Sequence, residues 1–158
     1  RGDAERMAFL IGDAPPHDYG VDRNALLGQA QQQRIEITTI QASGMTDHGA
    51  RAFTQIAQLT GGAAEVLTYT QQVQVADGRR TLMRRGGRSY ITRRALTEEE
   101  RALSFEELEA AEVLDAYAGP APGSGAAAPA AVAPASSDMG GIVARRARSR
   151  AEARGVTY

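Results

Sequence analysis

Asp13, His17 and Asp18 stand close together in a single stretch, and His48 is the chain's other histidine. Carboxylate and imidazole at this density are the groups of a hydrolase metal cluster or of an acid–base pair. The competing reading is structural: Asp13 is a turn residue capping Pro15-Pro16, and His17 is a solvated loop histidine. Other chemistries are excluded by residue type. Cys is absent, which rules out thiolate metal sites, disulfides and a Cys nucleophile. No Gly-x-Ser-x-Gly, Walker A or Gly-x-Gly-x-x-Gly phrase occurs, so a hydrolase elbow and a nucleotide cradle have no support. Arg1-Gly2-Asp3 spells an integrin-binding tripeptide, a three-residue match of the kind that recurs by chance.

The elements that position Asp13 are readable on either side of it. Met7–Ile11 is a continuous apolar run stopped by Gly12, the pattern of a strand buried on both faces of a parallel sheet. Pro15 and Pro16 cannot donate to a ladder and end it. Asp22 is placed to cap a helix from Arg23 to Gln33, with Leu26, Leu27 and Ala30 as its apolar positions. Ile35–Ile40, rich in β-branched residues, predicts a second strand. Thr46 or Asp47 caps a second helix carrying Phe53, Ile56, Ala57 and Thr60, which Gly61-Gly62 stops. Ala64–Leu67 follows as a short edge strand. Two successive strand–helix units imply an α/β fold class: a partial open parallel sheet with right-handed crossovers over residues 1–67, leaving Asp13 at a strand's carboxyl end.

The pattern then changes. Residues 68–96 predict a small antiparallel β meander, with a turn at Asp77-Gly78. Arg79, Arg80, Arg84, Arg85, Arg88 and Arg93 fall within it and read as a solvated face rather than a binding patch. Thr97-Glu98-Glu99-Glu100 and Ser104-Phe105-Glu106-Glu107 are capping boxes, so residues 97–118 predict one long helix or two short ones. Residues 119–141, rich in Ala, Pro, Gly and Ser, bury too little side chain to offset ordering entropy and read as a disordered linker. Residues 142–158 hold Arg145, Arg146, Arg148, Arg150 and Arg154 and read as a solvated tail, either marginally helical or disordered.

Apolar residues make up 42 % of the 158-residue chain and aromatic residues only 5 %, so its core is aliphatic. A net charge of −1 gives no whole-chain attraction to nucleic acid or anionic lipid, and no nucleic-acid partner is expected. All eighteen basic residues are Arg. The Arg-rich tail lacks the interleaved aromatics of a stacking surface. No apolar run approaches the ~20 residues needed to span a bilayer. A chain that opens on Arg1 and enters a strand within a few residues suggests a truncated or processed N-terminus.

Three phrases carry a resemblance. Phe9-Leu10-Ile11-Gly12-Asp13-Ala14-Pro15-Pro16-His17 resembles the fourth sheet strand of bacterial von Willebrand factor A domains, and Ile35-Glu36-Ile37-Thr38-Thr39-Ile40-Gln41 resembles their fifth. Phe53-Thr54-Gln55-Ile56-Ala57 with Gly61-Gly62 resembles their last helix and its stop. The match spans Met7–Leu67, less than half the chain, and corresponds to the C-terminal half of the domain. It implies protein binding through a metal-ion-dependent adhesion site. There Mg2+ is held at the carboxyl ends of the strands by an Asp-x-Ser-x-Ser segment, a Thr and an Asp after the fourth strand, and its open position takes a carboxylate from the partner. Only the last of these ligands has a counterpart here, Asp13. The resemblance thus implies a metal site incomplete in this chain, with Mg2+ bound by the intact domain but not by residues 1–158 alone. It favours a periplasmic or secreted location and leaves the partner's identity open. Two other readings stand beside it: an α/β hydrolase-like enzyme fragment using Asp13 and His17, and a regulatory or assembly fragment docking acidic partners through its Arg-rich segments. Half of such a sheet would leave one flank of the Met7 strand open, so poor stability or self-association along that flank is expected.

Overall fold

Ile35–Gln41 (β2) is the strand around which the first unit is built. A computed structural model describes residues 6–17, 20–42, 44–125 and 128–155. The chain divides into two units, Arg1–Leu67 and Thr68–Tyr158. In the first, β2 pairs in parallel with Arg6–Gly12 (β1) on one side and with Ala64–Val66 (β3) on the other, giving the order β1-β2-β3. Phe9 lies opposite Thr38 and Ile11 opposite Ile40. The helices Arg23–Gln32 (α1) and Asp47–Thr60 (α2) make the two crossovers. Strand order that advances in one direction puts both right-handed crossovers on one face of the sheet. The Gln31 side-chain amide accordingly donates to the Leu59 carbonyl, joining α1 to α2.

Local chemistry sets the helix ends. The Asp22 carboxylate accepts from Ala25 N at 3.1 Å, and Thr46 Oγ1 accepts from Gly49 N at 3.3 Å. At the other end of α2, Gly61 adopts φ +74°, while Gly62 N donates to Ala57 O (2.9 Å) and Gly61 N to Gln58 O (3.3 Å). That pair of bonds is a Schellman closure, which needs a left-handed residue where Gly61 stands. Ile40, Phe53, Ile56 and Ala57 are buried.

One expectation for this unit is corrected. The Met7–Ile11 run does not form a strand buried on both faces: Leu10 is 37 % and Ile11 44 % exposed. Among the described residues β1 has a partner on one side only, so β2, with Thr38, Thr39 and Ile40 all buried, takes the central place.

The second unit is a mostly antiparallel sheet. Thr68–Val75 (β4), Gly78–Arg85 (β5), Arg88–Thr92 (β6) and Leu114–Ala116 (β7) follow one another across it. Gly86 and Gly87, at φ +55° and +76°, make the two-residue hairpin loop between β5 and β6, a turn that requires positive φ at both positions. Met83, Leu96, Phe105, Leu108 and Val113 form its core, with Tyr90 and Leu114 packed against them. The Tyr90 and Phe105 rings meet edge-on, with centroids 4.9 Å apart. The mixed α/β class read from the sequence holds, with a larger antiparallel part than a small meander.

Two segments differ from expectation, and a third takes one of the two forms left open. Thr97 and Glu100 exchange the bonds of a capping box, as Ser104 and Glu107 do, but the first box opens only a 3-10 turn at Glu100–Ala102, and the second a short helix, Phe105–Ala110 (α3). The chain then turns through Glu112, at φ +54°, into β7. The linker read as disordered supplies two short strands, Ala130–Ala131 (β8) and Ser136–Ser137 (β9), both paired with β4. Backbone bonding replaces side-chain burial there: Val132 N donates to Gln72 O at 2.9 Å, and Thr68 N donates to the Asp138 carboxylate at 3.0 Å. The Arg-rich tail, read as either marginally helical or disordered, holds a helix, Met139–Ala153 (α4), whose Ile142 is buried. Arg and Ala, which dominate it, are among the best helix formers.

Candidate functional site

The loops that leave β1 and β2 converge on the first turn of α2. Gly12 ends β1, and its carbonyl accepts from Ala42 N at 2.8 Å, tying the ends of the two strands together. A Cβ on Gly12 would stand 3.1 Å from Phe53 Cζ, so glycine is what lets α2 lie this close to the strand end. A Cβ on Gly49 would stand 3.1 Å from Pro15 N and 3.2 Å from Pro15 Cα. The Gly-Asp-Ala-Pro-Pro loop is therefore seated against the backbone of α2. Gly44, at φ +108°, brings the loop after β2 beside the Asp13 carbonyl.

Asp13 sits in the bend after β1 and is exposed. Among the described residues its carboxylate makes no hydrogen bond or ion pair, so the turn-capping reading gains no bond in its favour. Its backbone is fixed from both sides while its oxygens face solvent. His17 is exposed further along the same loop, and His48 is exposed in the first turn of α2. Asp18 and the Arg1-Gly2-Asp3 tripeptide lie outside the described residues. Among the described residues, no three His, Asp or Glu side chains come together in a way that could hold a metal ion. The structure thus places Asp13 and His17 on one loop without bringing a third ligating group to them. Gly49, which seats the loop, was not singled out from the sequence, and Gly12 was read there only as the stop of the apolar run. The small residue in the first turn of a helix that follows a Pro-Pro loop is the signal that would have found Gly49.

The arginines of the second unit are largely engaged in structure. The Arg85 guanidinium lies 5.1 Å over the Phe105 ring, donates to Thr68 Oγ1 at 2.9 Å and pairs with Glu106. Arg80 pairs with Asp77 and donates to the Thr92 carbonyl at 3.2 Å; Arg93 pairs with Asp115 at 2.9 Å. Arg94 forks onto Glu100 with bonds of 2.6 and 2.7 Å. Those bonds, with a further one from Thr97 N, hold the Glu100 carboxyl down to about 2. The same pair raises Arg94. The Ser104 backbone and hydroxyl hold Glu107 below the usual carboxylate range. These pairs brace the β4–β5 turn, the β6–β7 pair, α3 and the 3-10 turn, and they leave the carboxyl end of the parallel sheet as the candidate site.

Compared with protein-family models, with characterised proteins and with solved structures, the chain gives no match. Among the described residues no helix is long and apolar enough to cross a membrane.

Proposed function

We propose that this chain is part of a protein-binding module of the von Willebrand factor A type, with Asp13 as one ligand of a divalent-cation site. The observation that carries the reading is the position of Asp13: an exposed, uncommitted carboxylate at the carboxyl end of a parallel strand, on a loop braced by Pro15 against Gly49. Open α/β sheets place their ligands at that end. The order β1-β2-β3, with both helices on one face, is compatible with the last three strands of such a domain.

The residues present do not by themselves fit the ion. A hard cation takes about six oxygen ligands, and one carboxylate cannot hold Mg2+ against water. With no group of three acidic or histidine side chains converging at Asp13 among the described residues, the remaining ligands would come from outside residues 1–158. In this reading the chain's own residues do one thing: Gly12, Pro15 and Gly49 fix the backbone so that the Asp13 carboxylate projects from the strand end. The partner is a protein, recognised by that end of the sheet.

Two measurements test this. The coding sequence ahead of Arg1 should contain an Asp-x-Ser-x-Ser segment after an apolar strand. Calorimetric titration with Mg2+ should show binding to the longer protein, none to its Asp13→Ala variant and none to residues 1–158 alone. A reading frame that begins at Arg1, or Mg2+ binding that survives Asp13→Ala, would overturn it.

A further inference from the structure

The open edge of β1 matches itself, and we infer that residues 1–158 associate as a two-fold dimer in which β1 pairs antiparallel with β1 of a second copy, joining two three-stranded sheets into one of six. The inference rests on backbone direction. The Gly12 carbonyl accepts from Ala42 N, so Gly12 turns its peptide groups toward β2. Alternate residues of a strand share that direction. Arg6, Ala8, Leu10 and Gly12 therefore face β2, while Met7, Phe9 and Ile11 present three N–H and three C=O groups on the outer edge. Among the described residues no strand pairs with that edge.

A two-fold axis perpendicular to the sheet at Phe9 sets Phe9 opposite Phe9 of the second copy, and Met7 opposite Ile11. Outward-facing residue then meets outward-facing residue. The three donors and three acceptors of each copy are all used, in six bonds across the seam. Between Met7 and Gly12 there is no charge, no proline and no bulge, the devices that ordinarily guard an edge strand.

Side chains favour the same occupant. Leu10 is exposed on the helix-bearing face and Ile11 on the other. In α1, Leu27 is buried and Gln31 reaches α2. At about 100° per residue, Leu26 lies on the opposite side of Leu27 from Gln31, above the outer edge of β1, where it is 52 % exposed. The edge thus calls for a strand with apolar residues on both faces, and a second β1 supplies one. An axis perpendicular to the sheet keeps both pairs of helices on one face, so Leu10 and Leu26 of the two copies line the same side of the seam. A strand from elsewhere in a larger polypeptide would compete for this edge, so the test uses the 158-residue chain alone.

Sedimentation equilibrium over about a hundredfold range of concentration should show a monomer–dimer equilibrium. Phe9→Pro removes an outward donor, together with a half-buried ring, and takes no bond from the β1–β2 ladder, while Ile11→Lys places a charge on the seam. Both variants should be monomeric, with the far-ultraviolet circular dichroism of the parent. Because the chain has no cysteine, single Cys variants report the register. Phe9→Cys should form a disulfide-linked dimer on mild oxidation, since residues directly opposite in a hydrogen-bonded pair lie about 5.5 Å apart. Ala8→Cys, which faces Leu10 of the second copy, should not. A parent chain that stays monomeric throughout the range, or Phe9→Cys and Ala8→Cys cross-linking equally, would overturn the inference.

Discussion

Thr39 donates a 3.1 Å hydrogen bond from its hydroxyl to the Phe53 carbonyl, fastening the central strand β2 to the middle of α2. Its neighbour Thr38 is equally buried, but among the described residues its hydroxyl has no partner. The two side chains leave opposite faces of the sheet, so one threonine is satisfied and the next is not. Replacing each with the isosteric valine should therefore have opposite signs. Thr39→Val loses a buried bond and should lower stability by about 0.5–1.5 kcal/mol. Thr38→Val removes an orphaned hydroxyl and should raise it by about 1 kcal/mol, since an unsatisfied buried polar group costs roughly 1–3 kcal/mol. Urea denaturation of the two variants beside the parent chain measures both. Equal signs would mean that Thr38 has found a partner.

Two glycines of the first unit make a second contrast. Gly28 lies inside α1, and a Cβ there meets nothing within 4 Å. Gly28→Ala should stabilise by about 0.5–1 kcal/mol through helix propensity and the lower entropy of the unfolded chain. Gly62 follows the closure of α2, where a Cβ would run into the Ile37 carbonyl and stand 3.1 Å from Thr38 N. Both obstacles are backbone of the central strand and cannot rotate away. Gly62→Ala should cost roughly 1–3 kcal/mol or more. Thermal melts of the pair would show Tm moving in opposite directions.

What could be read in the sequence was what is local. Asp22, Thr46 and Ser104 announce helix starts through bonds to residues three positions on, and Gly61-Gly62 announces a stop through φ alone. The position of Asp13 at a strand's carboxyl end followed from the apolar run before it and the prolines after it. The segment from Gly119 to Gly141 could not be read the same way, because what orders it is the edge of β4, some sixty residues earlier in the chain, and backbone groups leave no compositional trace. The apolar run of β1 failed differently. A central strand and an unguarded edge strand can share one composition, and only pairing tells them apart. The seating of Pro15 on Gly49 was illegible because it joins two loops that no periodicity connects.

Acid should reveal the brace around the 3-10 turn. Glu100 accepts two bonds from Arg94 and one from Thr97 N, which hold its carboxyl at about 2 against an ordinary 4.5. A carboxyl whose pKa is lowered by folding stabilises the folded state above its unfolded value, and that contribution is lost as pH falls through the folded one. The window is thus from about 4.5 down to about 2. Glu107, lowered by its bonds to Ser104, adds in the same direction. Glu100→Gln should flatten the fall in urea midpoint across that window while leaving its value near neutral pH slightly below the parent's. Glu107 is exposed and Glu100 lies at the surface, half-buried, so the change is small and should shrink further in high salt.

Asp13→Ala separates fold from function. The carboxylate is exposed and forms no hydrogen bond or ion pair among the described residues, while the loop that carries it is held by Gly12, Pro15 and Gly49. Substitutions at surface positions free of such bonds usually stay within about 0.5 kcal/mol. The variant chain should accordingly melt within a degree or two of the parent and keep the same far-ultraviolet spectrum. Gly49→Ala should do the reverse: it leaves every carboxylate in place but pushes Pro15 off the first turn of α2, at a cost of about 1 kcal/mol net of the helix propensity gained. On the proposed reading, in a protein that also carries the remaining ligands, Asp13→Ala would abolish Mg2+ binding at unchanged stability, whereas Gly49→Ala would weaken it in proportion to how far the loop moves. If Asp13→Ala instead destabilises the chain by more than about 1 kcal/mol, the carboxylate has a structural partner and is not held ready for an ion.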